Sequence, residues 1–364
     1  MFLQLDNELA FLWIMVKENN NLQFTNEVAK ALKDRFEKES FSSVFVLVDD
    51  NTNHHCLPLI EKSLPVNHQL IQIKSGEANK TIATCQSIWQ FLTDANADRH
   101  ALIINLGGGV ICDMGGFCAR TYKRGIHFWN IPTTLLSQVD ASVGGKLGVD
   151  FGVFKNHIGL FSDPDLVIID SGFFNTLPQD EIISGYAEMV KHALIKDRIM
   201  FNELTAQNVN DLDWHSWVLR SVAIKKVIVE EDPTENGLRK ILNFGHTVGH
   251  AVESYFMDKG NALKHGEAIA IGMIAETYLS CSKHMLVQEE GDRIIEYLLE
   301  VFPKKEIAND TLDDIVNLAF QDKKNKNGKI YAVLLKALGE AVYDTEINAD
   351  EIRKSLIYYN QLTK

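Results

Sequence analysis

Five short apolar runs in the first half of the chain, Ser43–Asp49, Gln69–Ile73, Ala101–Leu106, Ile126–Ile131 and Leu166–Asp170, alternate with helical spacing near Lys80–Leu92 and Met114–Thr121. Alternation of this kind constrains the fold strongly. Strands alternating with helices predict a parallel α/β sheet, buried on both faces, with ligands at the strands' carboxyl ends. After Thr176-Leu177-Pro178 the pattern changes to long helical segments: Asp180–Leu194, Trp214–Glu230, Asn243–Met257, His265–His284 and Glu289–Val301, with Lys329–Leu335 as the one further strand. The chain of 364 residues has the length of about two domains. The expected division is an α/β domain over 1–178 and a mainly helical domain over 179–364, with the active site in the cleft between them.

Thirty-six basic residues against 49 acidic ones give a formal net charge of −13, which argues against nucleic acid or an anionic membrane as partner. A small anionic ligand in a locally basic cleft stays open. Five cysteines (Cys56, Cys85, Cys112, Cys118 and Cys281) form no CxxC pair and read as reduced thiols of a cytoplasmic protein. The apolar run Phe11–Val16 is too short to span a membrane.

Several segments carry chemistry. The strand ending at Leu106 runs into Gly107-Gly108-Gly109-Val110-Ile111-Cys112-Asp113, where glycines let backbone amides approach a phosphate or simply make a tight turn. Asp49 and Asn51 end another strand, where a ribose contact and a plain polar turn are both open. Pro132-Thr133-Thr134 begins a stretch that continues to Asp140 and to Gly144-Gly145-Lys146, with Lys155 and Asn156 following. In the helical half, Glu188 and Lys191 are three residues apart and share a helix face. His246 and His250 are four apart, and His265 opens the next helix. A carboxylate with imidazoles suits Zn²⁺. Spacing alone pairs His246 with His250 as joint ligands, or leaves both as core-capping histidines. A zincin protease is excluded because Thr247 stands where its glutamate would be. Basic residues gather in the same segments (Arg124, Lys146, Lys155, Lys191, Lys225, Arg239 and Lys323–Lys324), which suggests a multiply anionic substrate.

Taken together, the segments LGGGVICD, RGIHFWNIPTTLLSQVDASVGGK, KNHIG, TLP, GYAEMVKHALI, EEDPTENGLRKILNFGHTVGH, HGEAIAIGM and QDKKNKNG resemble the 3-dehydroquinate synthases, in the family's order and over most of the chain. The resemblance implies a Rossmann-like amino-terminal domain and a helical metal-binding carboxy-terminal domain. It implies Glu188, His246 and His265 as ligands of Zn²⁺, with Co²⁺ an alternative, and moves His250 to substrate contact and proton transfer. Asp49, Asn51, Glu77, Lys80, Gly108, Gly109, Val110, Asp113, Thr133, Thr134, Lys155 and Thr176 match positions around NAD⁺. Asp140, Lys146, Asn156, Lys191, Lys225, Arg239, Asn243 and His250 match the substrate pocket, with Lys324 the choice over Lys323 for the carboxylate side. Arg124 matches an arginine that reaches the neighbouring subunit's phosphate, which implies a homodimer. Cys112 replaces a usual glycine and Leu147 a common threonine.

The activity implied is conversion of 3-deoxy-D-arabino-heptulosonate 7-phosphate to 3-dehydroquinate and phosphate. It would proceed by transient NAD-dependent oxidation, β-elimination of phosphate, re-reduction and intramolecular aldol closure, with His250, Asp140, Lys146 and Asn243 as the catalytic set. Three rivals are a polyol dehydrogenase of the glycerol dehydrogenase type, whose neutral substrate needs no such set of cations, a cyclase making a deoxyinosose or valiolone, which binds no carboxylate, and a non-catalytic binding module descended from such an enzyme, against which the complete set of metal and anion positions argues.

Overall fold

A computed structural model describes residues 21–152, 154–320 and 329–363. The chain divides into two compact units: Met1–Pro178 with Trp214–Lys226, and Gln179–Asp213 with Val227–Lys364.

The first unit contains β1 (Leu22–Phe24), α1 (Val28–Phe36), β2 (Val44–Asp49), α2 (Asp50–His55), α3 (Leu57–Ile60), β3 (Gln69–Ile73), α4 (Ile82–Asp94), β4 (Leu102–Gly107), α5 (Gly109–Thr121), β5 (His127–Pro132), β6 (Lys146–Phe151), β7 (Phe154–Phe161) and β8 (Leu166–Ile169). Six of these strands form one sheet in the order β1-β8-β5-β4-β2-β3, and every pairing in it is parallel. Successive residues of β2 and β4 point to opposite faces. Phe45, Leu47 and Ile103 pack with Cys85, Ile88 and Leu92 of α4 and Ile111, Met114 and Phe117 of α5. Val44, Val46, Val48, Leu102, Ile104 and Leu106 pack with Leu32 of α1 and Leu57 and Ile60 of α3. Helices therefore cover both faces, which is why these strands are apolar throughout and do not alternate.

The helix read from Met114 begins at Gly109, directly after the glycine turn. Lys146 and Lys155, singled out above beside glycines, lie on the two strands of the antiparallel hairpin β6–β7, outside the large sheet. A Cβ on Gly159 would fall on the Leu147 carbonyl oxygen, so glycine there lets the two strands close. Both departures from the family pattern sit in the core: Cys112 is buried in α5, and Leu147 packs over Gly116 of that helix.

The second unit contains α6 (Gln179–Lys196), α7 (Arg198–Thr205), the end of α8 (Trp214–Glu231), α9 (His246–Asp258), α10 (His265–Ser282), α11 (Gln288–Val301), α12 (Leu312–Phe320), β9 (Ile330–Ala337), β10 (Glu340–Ile347) and α13 (Ala349–Gln361). Helix α10 is apolar on all sides and buried nearly throughout, as expected of a central helix. The single strand expected in this half has a partner: β10 pairs antiparallel with β9. Its sequence, EAVYDTEI, is mostly exposed or half-buried, so it carries no apolar run to announce it.

Candidate active site

In the first unit the sheet itself positions the candidate cofactor residues. From β2 the chain passes to β3 on one side and then to β4 on the other, so the direction of strand order reverses between β2 and β4. Ligands of open α/β sheets bind in the crevice outside such a reversal. Asp49 ends β2, and Gly107-Gly108-Gly109 ends β4 and starts α5 without a side-chain cap. Glu77 and Lys80 follow β3, Thr133 and Thr134 follow β5, and Thr176 closes the short helix after β8. The cofactor positions expected after these strands thus lie beyond the carboxyl ends of five neighbouring strands. Val110 and Asp113 lie in the first turns of α5.

Some of these side chains meet directly. Lys80, 3% exposed, donates from Nζ to Asp113 Oδ2 and to Asn156 Oδ1, both at 2.7 Å. Burial alone would lower the Lys80 ammonium, but Asp113 and Glu77 outweigh it and hold it above its ordinary value. Burial also raises the Asp113 carboxyl, against the pull of Lys80. Lys155 Nζ stands 4.0 Å from Glu77 Oε1. Asp49 is engaged by its own helix, accepting the Thr52 N–H at 2.8 Å as the cap of α2, while Asn51 is exposed. Asp140 sits in a π-turn, Ser137–Ala141, and accepts Lys225 Nζ at 2.7 Å. Single π-turns recur where a side chain is held for function. Lys146 is exposed at the start of β6. Arg124 lies apart from all of these, just before the amino end of β5, in a left-handed turn with φ 68°.

The second unit assembles a buried ionic centre from three helices. Glu188, on α6, is fully buried, and its Oε2 takes the Lys191 ammonium one turn along. Its other oxygen, Oε1, forms no hydrogen bond among the described residues. That oxygen faces His246 Nε2 at 3.5 Å and His265 Nε2 at 3.4 Å. The remaining imidazole nitrogens are engaged behind: His246 Nδ1 lies 3.0 Å from the Phe244 carbonyl, and His265 Nδ1 lies 3.5 Å from Glu253 Oε1. This is the outer arrangement that fixes a ligating histidine's tautomer and turns its free lone pair inward. One atom each from Glu188, His246 and His265 lies within 4.8 Å of the others, so the three could hold a metal ion, and a tetrahedral ion would keep a position open.

The electrostatics point the same way. Burial works against the Glu188 charge, but Lys191, His246 and His265 outweigh it and hold its carboxyl well below the usual range. Burial likewise disfavours a charged His265, yet Glu188 and Glu253 together push it up to about 10. The centre favours positive charge between the carboxylate and the imidazoles, which is what a divalent ion supplies.

Close packing sets this geometry. Ser184, one turn before Glu188, accepts the Gly266 N–H through Oγ at 2.9 Å, and a Cβ on Gly266 would fall on the Ser184 backbone. His265 is thereby seated against α6. The pairing of His246 with His250 as joint ligands is not the grouping found: His250 belongs to a second cluster with Glu253 and His265. Its ring is 5.0 Å from that of His246 and 6.0 Å from that of His265. Arg239, 1% exposed, donates from Nη1 to the Pro233 carbonyl at 2.6 Å, and Asn243 donates to Glu235 Oε1 at 2.8 Å. Asp232 ties their loop by accepting the N–H groups of Gly237, Asn236 and Arg239. Lys323 and Lys324 lie outside the described residues.

Sequence reasoning missed Glu253, Ser184, Asp232 and Glu235. Glu253 was within reach, since it extends the helical spacing of His246 and His250 by one more turn. Ser184 carries no such signal, because its partner is a backbone amide on another helix.

Residues 70–184 match the model of the 3-dehydroquinate synthase N-terminal region, and residues 185–325 that of the 3-dehydroquinate synthase C-terminal region. A 3-dehydroquinate synthase from Parabacteroides distasonis is 39% identical over 340 residues, covering 92% of this chain and 96% of the relative. The chain belongs to the 3-dehydroquinate synthase family. Among solved structures, a 2-epi-5-epi-valiolone synthase from Streptomyces hygroscopicus, with NAD⁺ and Zn²⁺ bound, is similar with a TM-score of 0.82 and 25% identity, covering 94% of this chain and 96% of its own. A 2-deoxy-scyllo-inosose synthase, complexed with carbaglucose-6-phosphate, NAD⁺ and Co²⁺, gives a TM-score of 0.78 at 22% identity over 92% of this chain and 95% of its own, a likeness of fold. The 3-dehydroquinate synthase relative is thus nearer in sequence than either of these cyclases. Among the described residues no helix is long and apolar enough to cross a membrane.

Proposed function

We propose that this member of the 3-dehydroquinate synthase family carries the family's lyase activity in aromatic amino acid biosynthesis, converting 3-deoxy-D-arabino-heptulosonate 7-phosphate to 3-dehydroquinate and phosphate. The observation that carries the reading is the buried Glu188 oxygen that forms no hydrogen bond among the described residues and faces two imidazole nitrogens whose rings are braced from behind. Glu188, His246 and His265 would hold Zn²⁺, with Co²⁺ an alternative, and the residues beyond the carboxyl ends of β2, β3, β4, β5 and β8 would hold NAD⁺. When bound, the metal supplies Lewis acidity to the substrate hydroxyls and NAD⁺ a reversible hydride acceptor.

The chain's own side chains do the rest. Lys191 neutralises one Glu188 oxygen and leaves the other for the metal. His250 is the group suited to take a proton from a substrate hydroxyl and return it, because imidazole titrates near neutral pH. Asp140, held by Lys225, would keep the proton path and a substrate contact in place. Lys146 and Asn243 would hold the phosphate, which itself removes the proton at C6 as it leaves. Lys155 and Asn156 would border cofactor and substrate, and Arg239 and the Lys323–Lys324 pair would serve the carboxylate. Arg124, beyond the opposite end of the sheet from the cofactor positions, would serve the site of a second copy, in a cytoplasmic homodimer.

The test is an assay with catalytic NAD⁺, Zn²⁺ and 3-deoxy-D-arabino-heptulosonate 7-phosphate that follows phosphate and NADH together. Many phosphates released per NAD⁺ with no lasting NADH is the expected result. Steady NADH accumulation without phosphate would instead make it a dehydrogenase.

A further inference from the structure

Helix α9 begins without a side-chain cap of its own. The four N–H groups at a helix start need acceptors, and Ser, Thr, Asp or Asn at the cap usually supplies one. Here the cap position is Gly245, in the left-handed region with φ 79°, and it has no side chain to offer. The acceptor comes from another helix. Glu276 of α10 is fully buried; its Oε2 accepts the Gly245 N–H at 2.7 Å, and its Oε1 accepts those of Thr247 and Val248 at 3.1 and 3.2 Å.

The first of these bonds matters most. The Gly245 N–H belongs to the same peptide unit as the Phe244 carbonyl, and a peptide unit is rigid and planar. That carbonyl lies 3.0 Å from His246 Nδ1 and sets the ring so that Nε2 faces Glu188. Glu276 therefore grips one end of a plate whose other end orients the His246 ring. The helices allow this because they touch at the same place. A Cβ on Gly272, one turn before Glu276, would fall on the Gly245 carbonyl oxygen, and one on Gly245 would meet Met273 Cγ at 2.6 Å. Helix α10 carries His265 at its first position and Glu276 about three turns further along, so a single helix presents one imidazole and aims the other.

We infer that Glu276 is a positioning residue for the metal centre, acting through the 244–245 peptide to fix the orientation and tautomer of His246. The inference rests on reading Glu188, His246 and His265 as the metal ligands, and its consequence is metal affinity rather than fold alone. The experiment compares full-length wild type, Glu276→Gln and Glu276→Ala. It measures the zinc dissociation constant by chelator competition, the absorption spectrum with cobalt bound, and the Tm of metal-free protein. Losing an outer-shell partner of a ligating histidine costs about 10–100-fold in affinity, and Glu276→Ala is expected at or above the lower end with a shifted cobalt spectrum. Glu276→Gln should fall between, since its amide keeps one acceptor oxygen, and it decides the matter alone if the alanine variant does not fold. A lowered Tm with wild-type zinc affinity and cobalt spectrum would overturn the inference, leaving Glu276 a simple helix cap. So would variants indistinguishable from wild type throughout. Wild-type protein that takes up no metal would sink the ligand reading itself, and this inference with it.

Discussion

The two units build their sites in opposite ways. In the first, the candidate cofactor positions are mostly backbone turns and short polar side chains, brought side by side because five parallel strands end at the same edge. In the second, the reactive groups are side chains from α6, α9 and α10, far apart in sequence, aimed at one point by close helix contacts. The first kind of site comes with the fold, because its positions are the ends of neighbouring parallel strands. The second depends on a few close approaches, at Gly266, Gly245 and Gly272, where one added methyl group has nowhere to go.

The largest expected effect tests the second site directly. Glu188→Ala should lose bound metal and turnover together, by more than the roughly 100-fold that outer-shell changes cause. Metal analysis of the purified variant checks this, and stoichiometric zinc would show that the carboxylate is not a ligand.

A paired substitution sharpens the contrast. A Cβ at residue 272 would strike the Gly245 carbonyl, and one at residue 115 would strike Asn105 Oδ1, so Gly272→Ala and Gly115→Ala should each cost about 1–3 kcal/mol in overpacking. Their functional signatures should separate. Gly272→Ala should weaken zinc and spare NAD⁺ affinity, while Gly115→Ala, in the helix that follows the glycine turn, should do the reverse. If both variants lost both ligands equally, the two sites would not be independent constructions.

The smallest effect is electrostatic. Burial opposes the Asp232 charge, but the N–H groups of Gly237, Asn236 and Arg239 outweigh it and hold the carboxyl below its ordinary value. A group with a depressed folded-state pKa stabilises the protein above its unfolded value and loses that contribution as pH falls through the folded one. Wild type should therefore melt above Asp232→Asn at neutral pH, with the gap closing as the pH falls below the ordinary carboxylate range. A gap that widened in acid would reverse the assignment.

The sequence by itself determined the parallel sheet, because strands covered by helices on both faces must be apolar at every position, as β2 and β4 are. It marked the glycine turn after β4, where the chain passes from a strand straight into a helix. The motif resemblance carried the candidate ligands, where spacing had paired His246 with His250. Tertiary structure alone decided the rest. The hairpin β6–β7 and the exposed strand β10 left no periodic apolar signal, since their pairing is made by backbone and, for β10, largely in solvent. Glu276 showed in the sequence as one carboxylate inside the apolar run AIAIGMIAETYLS, a buried charge that needed partners. Which partners it found could not be read from the chain, because they are amide hydrogens, identical at every residue except proline and distinguished only by where the fold exposes them.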